Sequence, residues 1–391
     1  MRVATSLRSG SAATAAREGA AALRLGLGGQ APAFVMAFAS TKQPLPEVLS
    51  ALETEMPGAL VLGASTAGEF TEEGDAKGSA SFFAVAGELK AYAGFADKLG
   101  ADPEAAVQRA AAQLPRTVDG YPHRTAIVLL DALSGVSEET TLLVADALGD
   151  DVRLAGGAAG DDLQMKTPLV GLGKRTGNDA LALAVLFTKK PLGVGVCHGH
   201  KALSRPLKVT RAKGATVFEV DGRPAWDVWR DETRAAAARS GLDPATLPAA
   251  DVGAYLLRFE AGLDAGPVPK IRAPLSRGAD GSLSFACGIP EGAVIRIHES
   301  EPQPQIDSAR EAARRARAQI GGGTVAGALV FDCICRNLIL GDRFAEAVRA
   351  IRDELGGVPL AGFETYGEVA LGAGDMSGFH NTTTVVLAFG G

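Results

Sequence analysis

Cysteine is scarce in this chain, with 4 among 391 residues, too few for the disulfide framework of a small secreted domain. Long apolar runs are missing as well: the longest, such as Leu181–Phe187, have the length of a strand and fall short of a membrane-spanning helix. No apolar leader follows Arg2, which passes straight into strand-like residues, so the expectation is a chain without a signal peptide, residing in the cytoplasm. A basic stripe is absent and the formal net charge is -6, which excludes the electrostatic footprint of a nucleic-acid binder. Catalytic and nucleotide signatures are also wanting. Gly171-Leu-Gly173-Lys-Arg-Thr-Gly177 has neither Rossmann nor P-loop spacing. No Gly-x-Ser-x-Gly elbow occurs, and nothing completes a zinc site with Cys333 and Cys335. What remains is an ordinary globular mixture, 47% hydrophobic and 21% charged, long enough for more than one buried core.

What the sequence does contain is a unit written three times. Each copy opens with an apolar strand (Val3–Leu7, Ala91–Phe95, Val294–Ile297) and continues into an Ala/Arg-rich helix. A second apolar strand follows (Phe34–Ala39, Ala126–Asp131, Gly327–Asp332), then a second helix. Next comes a Gly-centred turn, and a closing strand ends the copy (Ala80–Ala86, Leu181–Phe187, Thr383–Phe389). This alternation predicts an α/β fold with mixed sheets, the last strand acting as a hairpin partner of its predecessor. The third copy is expected to follow an inserted α+β segment, roughly Lys189–Gly292. There Leu207–Arg211 and Thr216–Val220 flank a tight turn at Lys213-Gly214. Trp226 and Trp229 share one face of a helix over Pro224–Ser240 and read as packing. Gly241–Arg277 is expected to include exposed loop.

Ligands in open α/β sheets lie outside the carboxyl ends of the strands, so the turns are the place to look. Gly63, Gly156 and Gly362 recur at matching places, as do Gly68, Gly160 and Gly367, which implies a backbone need. The side chains between them differ. The first copy offers Ser65, Thr66 and Glu69; the second Asp161 and Asp162; the third Glu364, Thr365, Tyr366 and Glu368. The third also places Cys333, Cys335 and Arg336 after its second strand, and His380-Asn381 before its last. Arg336 carries the fork that suits a carboxylate or phosphate. Glu364 and Glu368 would accept an amine or pair with Arg336. A weaker reading makes Cys333, Glu368 and His380 nucleophile, acid and base of an enzyme.

Several of these segments resemble the FIST family of bacterial sensory proteins: Leu62-Gly-Ala-Ser-Thr-Ala-Gly-Glu69, Gly156-Gly-Ala-Ala-Gly-Asp161, Val220-Asp-Gly-Arg-Pro-Ala225, Ala361-Gly-Phe-Glu-Thr-Tyr-Gly-Glu368 and His380-Asn-Thr-Thr-Thr-Val-Val-Leu-Ala-Phe389. The resemblance implies an N-terminal FIST domain over 1–220 (two copies and a hairpin) and a C-terminal one over 221–391 (the insert's helix and loop, and the third copy). It implies a non-catalytic input module that binds a small ligand such as an amino acid, without a cofactor. The pocket residues expected are Arg336, Glu364, Thr365, Tyr366, Glu368, His380, Asn381, Cys333, Ser65, Thr66, Glu69 and Asp161. Some relatives resemble haem-based nitric-oxide sensors acting on a histidine kinase, which would make His198, His200 or His380 an axial ligand to non-covalent haem. With no kinase, cyclase or methyl-accepting segment in view, the signal is expected to leave through a partner protein.

Overall fold

The computed structural model describes residues 1–264, 268–372 and 378–391. The first unit runs β1 (Arg2–Arg8), α1 (Ala12–Gly26), β2 (Phe34–Ala39), α2 (Leu45–Glu55) and β3 (Leu60–Ser65), then a small hairpin, β4 (Glu69–Thr71) and β5 (Gly74–Ala76), and closes with β6 (Ala80–Ala86). Local chemistry sets its punctuation. Ser11 accepts the Thr14 N–H to start α1, and Pro44 precedes α2, both favoured at helix entries. The second unit repeats the plan: β7 (Leu89–Asp97), α3 (Pro103–Ala111), β8 (His123–Leu130), α4 (Ser137–Leu148), β9 (Arg153–Ala158), the hairpin β10 (Val170–Leu172) and β11 (Arg175–Gly177), and β12 (Ala180–Thr188).

The third unit begins earlier than its sequence suggests. Its opening strand is β13 (Gly193–Cys197), ahead of the insert. The insert comprises β14 (Lys201–Ala202), β15 (Leu207–Lys213), β16 (Thr216–Val220), β17 (Arg223–Pro224), α5 (Ala225–Arg239), α6 (Val252–Arg258), β18 (Phe259–Leu263), β19 (Lys270–Arg272), β20 (Pro274–Arg277), β21 (Leu283–Phe285) and β22 (Val294–Glu299). After it come α7 (Pro302–Ala318), β23 (Val325–Cys333), α8 (Ile334–Leu340), α9 (Phe344–Glu354), β24 (Leu360–Thr365), the hairpin β25 (Glu368–Leu371) and β26 (Phe379–His380), and β27 (Thr384–Gly390). Val294–Ile297 therefore belongs to the insert's sheet, in β22, and does not open the third copy. The reason is packing. A Cβ on Gly193 or Gly195 would lie 1.8 Å from the Ala316 carbonyl or 2.0 Å from that of Ala312, so β13 takes α7 directly against its backbone.

The three units share a strand order: β1-β6-β2-β3, β7-β12-β8-β9 and β13-β27-β23-β24. The closing strand is not a hairpin partner of its predecessor, as the sequence suggested. It inserts between the first and second strands, antiparallel to both, which leaves the third strand free on its far side. That edge is covered by exchange. The hairpin β4–β5 of the first unit extends the third unit's sheet beside β24, β25–β26 of the third extends the second beside β9, and β10–β11 of the second extends the first beside β3. An unpaired edge would be a template for association, and here each is covered by a neighbour. The inner faces meet in one core, where Phe38 stacks on Phe363 at 4.5 Å and Phe83 meets Phe389 at 5.0 Å.

The insert folds around a second core of Trp226, Trp229, Tyr255 and Phe259, and the indole N–H of Trp229 donates to the Phe259 carbonyl at 2.8 Å. Gly241–Arg277 includes the expected exposed loop, over residues 241–248, and also holds α6, β18, β19 and β20, with residues 265–267 outside the described part. Among the described residues no helix is long and apolar enough to cross a membrane.

Candidate functional site

The recurring first glycines have a steric cause. A Cβ at Gly63, Gly156 or Gly362 would stand 2.7, 2.0 or 2.4 Å from the carbonyl of Ala37, Val128 or Val330 on the adjacent parallel strand. Just beyond, the three turns bond to one another. Ala67 N–H donates to the Glu364 carbonyl at 3.0 Å, Gly160 N–H to that of Ser65 at 2.9 Å and Tyr366 N–H to that of Ala158 at 3.1 Å. Each turn is tied to the strand end of a different unit.

Most of the ionisable residues expected at a ligand serve this junction instead. Thr66 donates to one oxygen of Glu69, whose other oxygen accepts the Ser79 hydroxyl at 2.9 Å and the Ser79 N–H at 3.3 Å. The third unit repeats the set: Thr365 donates to one oxygen of Glu368, and Thr383 gives its hydroxyl at 2.8 Å and its N–H at 3.0 Å to the other. Burial pushes the Glu69 carboxyl up to about 7 and that of Glu368 up to about 8, against the pull of these donors. Glu364 is raised to about 8, by burial first and then by the nearby Asp332, Glu69 and Asp75; Asn337 donates to it at 2.6 Å. Ser65 donates to the Gly160 carbonyl at 2.6 Å and accepts the Leu169 N–H at 2.7 Å. Asp161 accepts the N–H groups of Met165, Lys166 and Thr167 and the Tyr366 hydroxyl at 2.5 Å. Burial opposes its charge, but these four bonds prevail and hold its carboxyl below the ordinary range. Asp162 accepts from Ser40 and Thr41 of the first unit.

Arg336 is placed otherwise than as an anchor for a ligand anion. It is fully buried under α7, with Nε on Asp332 at 2.6 Å, Nη2 on the Gln305 carbonyl at 2.9 Å, and Nη1 on the Ser308 hydroxyl at 3.1 Å and the Gln305 amide oxygen. The buried end of β23 carries Asp332, and a guanidinium at the i+4 position is what neutralises it. Neither Glu364 nor Glu368 pairs with it.

The histidines are committed inside the protein as well. His198 Nε2 donates to the Pro269 carbonyl at 3.1 Å, its Nδ1 accepts the His200 N–H at 3.3 Å, and His380 Nε2 donates to the Ala370 carbonyl at 3.0 Å. His200 Nε2 lies 3.2 Å from Glu260 in a fully buried pair. Burial, reinforced by positive or imidazole neighbours, lowers all three imidazoles to about 3. None of them lines the large cavity described next. The three residues of the enzyme reading are not gathered at the cavity: Cys333 lines it, whereas Glu368 has both oxygens bonded within its turn and His380 faces the Ala370 carbonyl. Burial and the adjacent Cys335 push the Cys333 thiol well up.

That cavity, of 780 Å³, opens where β23 ends in Cys333, between the third unit and the insert. Its volume falls within the range of small-molecule sites. Of the expected residues, Cys333, Tyr366 and Asn381 line it; Arg336, Glu364, Thr365, Glu368, His380, Ser65, Thr66, Glu69 and Asp161 do not. The remaining wall is largely apolar: Ile334, Leu338 and Ile339 on α8, Leu257 on α6, Pro274 and Leu275 on β20, and Leu163 and Met165 from the second unit. Leu163, Met165, Leu275 and Leu338 are exposed at its rim. Asp161 folds the Leu163–Met165 segment into place, and both of those residues adopt left-handed backbone, at φ 62 and 53. Among the described residues, two side chains of this wall carry a buried polar atom without a partner, at Asn381 Oδ1 and Arg258 Nε. Arg258 escaped sequence reasoning because it sits on an insert helix with no repeat counterpart; its terminal nitrogen is held by Glu299 at 3.0 Å.

Comparison with known proteins agrees with this architecture. Residues 33–223 match the FIST N domain and residues 225–371 the FIST C domain. Two curated relatives from Mycobacterium tuberculosis strains, the uncharacterized proteins MT0656 and Rv0628c, are each 26% identical over 205 residues, covering 50% of this chain and 50% of their own. The chain thus spans about half the length of the curated relatives it matches. With both domain models matched along nearly its whole length, the chain belongs to the FIST family, whose domains are sensory, ligand-binding modules of signal transduction.

Proposed function

We propose that the cavity at Cys333, Tyr366 and Asn381 is the sensory ligand site, and that its ligand is a small, mainly apolar molecule with one hydrogen-bonding head. The observation that carries this reading is the pair of unpartnered buried atoms in an apolar wall, the acceptor Asn381 Oδ1 and the donor Arg258 Nε. A buried polar group without a partner costs roughly 1–3 kcal/mol, which a ligand head that both donates and accepts would recover. A free amino acid requires two opposite charges to be met, and the ionisable residues first expected to meet them are bonded within the turns or, for Arg336, to Asp332 and α7. Among amino acids and their relatives, those with large apolar side chains or a masked charge fit best. Transmission to a partner protein would follow from the ordering of the rim as the ligand enters.

The test is a thermal-shift screen of the full chain with apolar and polar metabolites. Saturating binding stabilises by RT ln(1 + [L]/Kd), about 2.7 kcal/mol at a hundredfold excess. Shifts confined to apolar compounds, and lost in Asn381→Ala, are expected. Hits limited to charged compounds, or hits indifferent to Asn381→Ala, would sink the reading.

A further inference from the structure

A second cavity, of 710 Å³, lies on the other side of the segment that walls the first. Lys270 and Arg272 of β19 face it, while Ala273, Pro274 and Leu275, next in the chain, face the sensory cavity. Both cations are nearly buried, at 9% and 2% exposure. They share a carboxylate: Glu138, on α4 of the second unit, accepts Lys270 Nζ at 3.0 Å on one oxygen and Arg272 Nη2 on the other. Arg272 Nη1 donates to the carbonyls of Ile271 and Phe379, at 3.2 and 3.3 Å, and its Nε is buried with no partner among the described residues. An ammonium has three donors, and among the described residues Lys270 Nζ bonds to Glu138 alone.

Among the described residues, the surroundings supply no further negative charge against these cations. His380, packed near both cations, is neutral. Cys287 beside them is kept a thiol by burial. Glu291, also in the wall, is exposed at the rim and accepts the Ala212 N–H at 3.3 Å. Among the described residues, two nearly buried cations meet one shared carboxylate, and a buried charge left without a full partner is costly.

We infer that this second cavity is an oxyanion site, taking the carboxylate or phosphate group of a small molecule against Lys270 and Arg272, in competition with Glu138. The site is independent of the sensory cavity and stands or falls apart from it. Titration calorimetry of the full chain with inorganic phosphate and with acetate tests it. Saturable binding is expected for at least one of them, and the tighter of the two identifies the head group. Glu138→Gln removes the competitor and is expected to tighten binding about tenfold; Lys270→Met weakens it about tenfold, and Lys270→Arg, which keeps the charge, stays near the parent value. Circular dichroism checks that each variant is folded. No saturable binding below about 10 mM in either the parent or Glu138→Gln overturns the inference, as does binding that Lys270→Met leaves unchanged while Lys270→Arg folds normally.

Discussion

In the first unit Thr66, Glu69 and Ser79 make the bonds that Thr365, Glu368 and Thr383 make in the third, oxygen for oxygen. Yet only the third unit's neighbourhood opens into the large cavity. What the two have in common is the cross-tie of a turn. Of the cavity's polar groups, Tyr366, Asn381 and the thiols of Cys333 and Cys335 come from the third unit and Arg258 from the insert, and none has a counterpart in the first unit's wall of the junction. Repetition here marks what the fold needs, and departure from repetition marks where a ligand would be met.

The equivalence of the two glutamates can be broken first by deletion. Glu69→Ala and Glu368→Ala each strand two buried hydroxyls, so a loss of about 3 kcal/mol is expected from either in urea unfolding. A large asymmetry would mean that one of them does something besides bracing its turn. Next is pH. Both carboxyls are raised in the folded state, to about 7 and about 8, so their protonated forms favour folding. That contribution is complete below the unfolded pKa near 4.5 and is lost as pH climbs through 7 and 8. Glu368→Gln, which mimics the protonated group, should therefore be about 1–3 kcal/mol more stable than the parent at pH 9 relative to their difference at pH 4. Glu69→Gln should show the same trend at lower pH and smaller size. A parent stability flat from pH 5 to 9 would refute the assignment.

A smaller effect separates the units. Tyr366→Phe removes the bond to Asp161 and should cost about 1 kcal/mol by thermal unfolding, while raising protease sensitivity near Leu163–Met165. Smallest is Asn381→Ala, whose Oδ1 has no partner to lose among the described residues and whose Nδ2 gives up a bond to the His380 carbonyl at 3.0 Å; stability is expected to change by about 1 kcal/mol or less while ligand-induced shifts disappear. If Asn381→Ala destabilises as strongly as Glu368→Ala, Asn381 belongs to the brace and not to the site.

Much of the architecture was legible from the chain. The strand and helix alternation, the recurring glycines and the hairpin between β15 and β16, whose turn falls at Gly214-Ala215, one residue later than the sequence suggested, follow from periodicity and turn chemistry, which are local. The opening strand of the third unit was not legible, because about a hundred residues separate β13 from α7 and Val294–Ile297 has an equally good strand pattern. At the site, residue type alone could not tell a bracing carboxylate from a binding one. Arg336 illustrates the limit: a guanidinium after a buried strand suits an anion, and the anion proved to be Asp332, four residues back on the same chain. Arg258, Lys270 and Arg272 gave no signal at all, since only tertiary packing brings the insert against the third unit and α4.

The traded hairpins have a practical consequence for anyone cutting this molecule apart. The border between the two family matches, near residue 224, looks like a natural place to divide it, but it separates donors from acceptors. An amino-terminal fragment would carry β4–β5 with no β24 to receive it and would leave β9 bare, lacking β25; a carboxyl-terminal fragment would lack β13 and offer β24 uncovered. Each piece would expose open strand edges that invite aggregation. Co-expression of both fragments, each supplying what the other lacks, is the form in which a divided protein is expected to stay in solution.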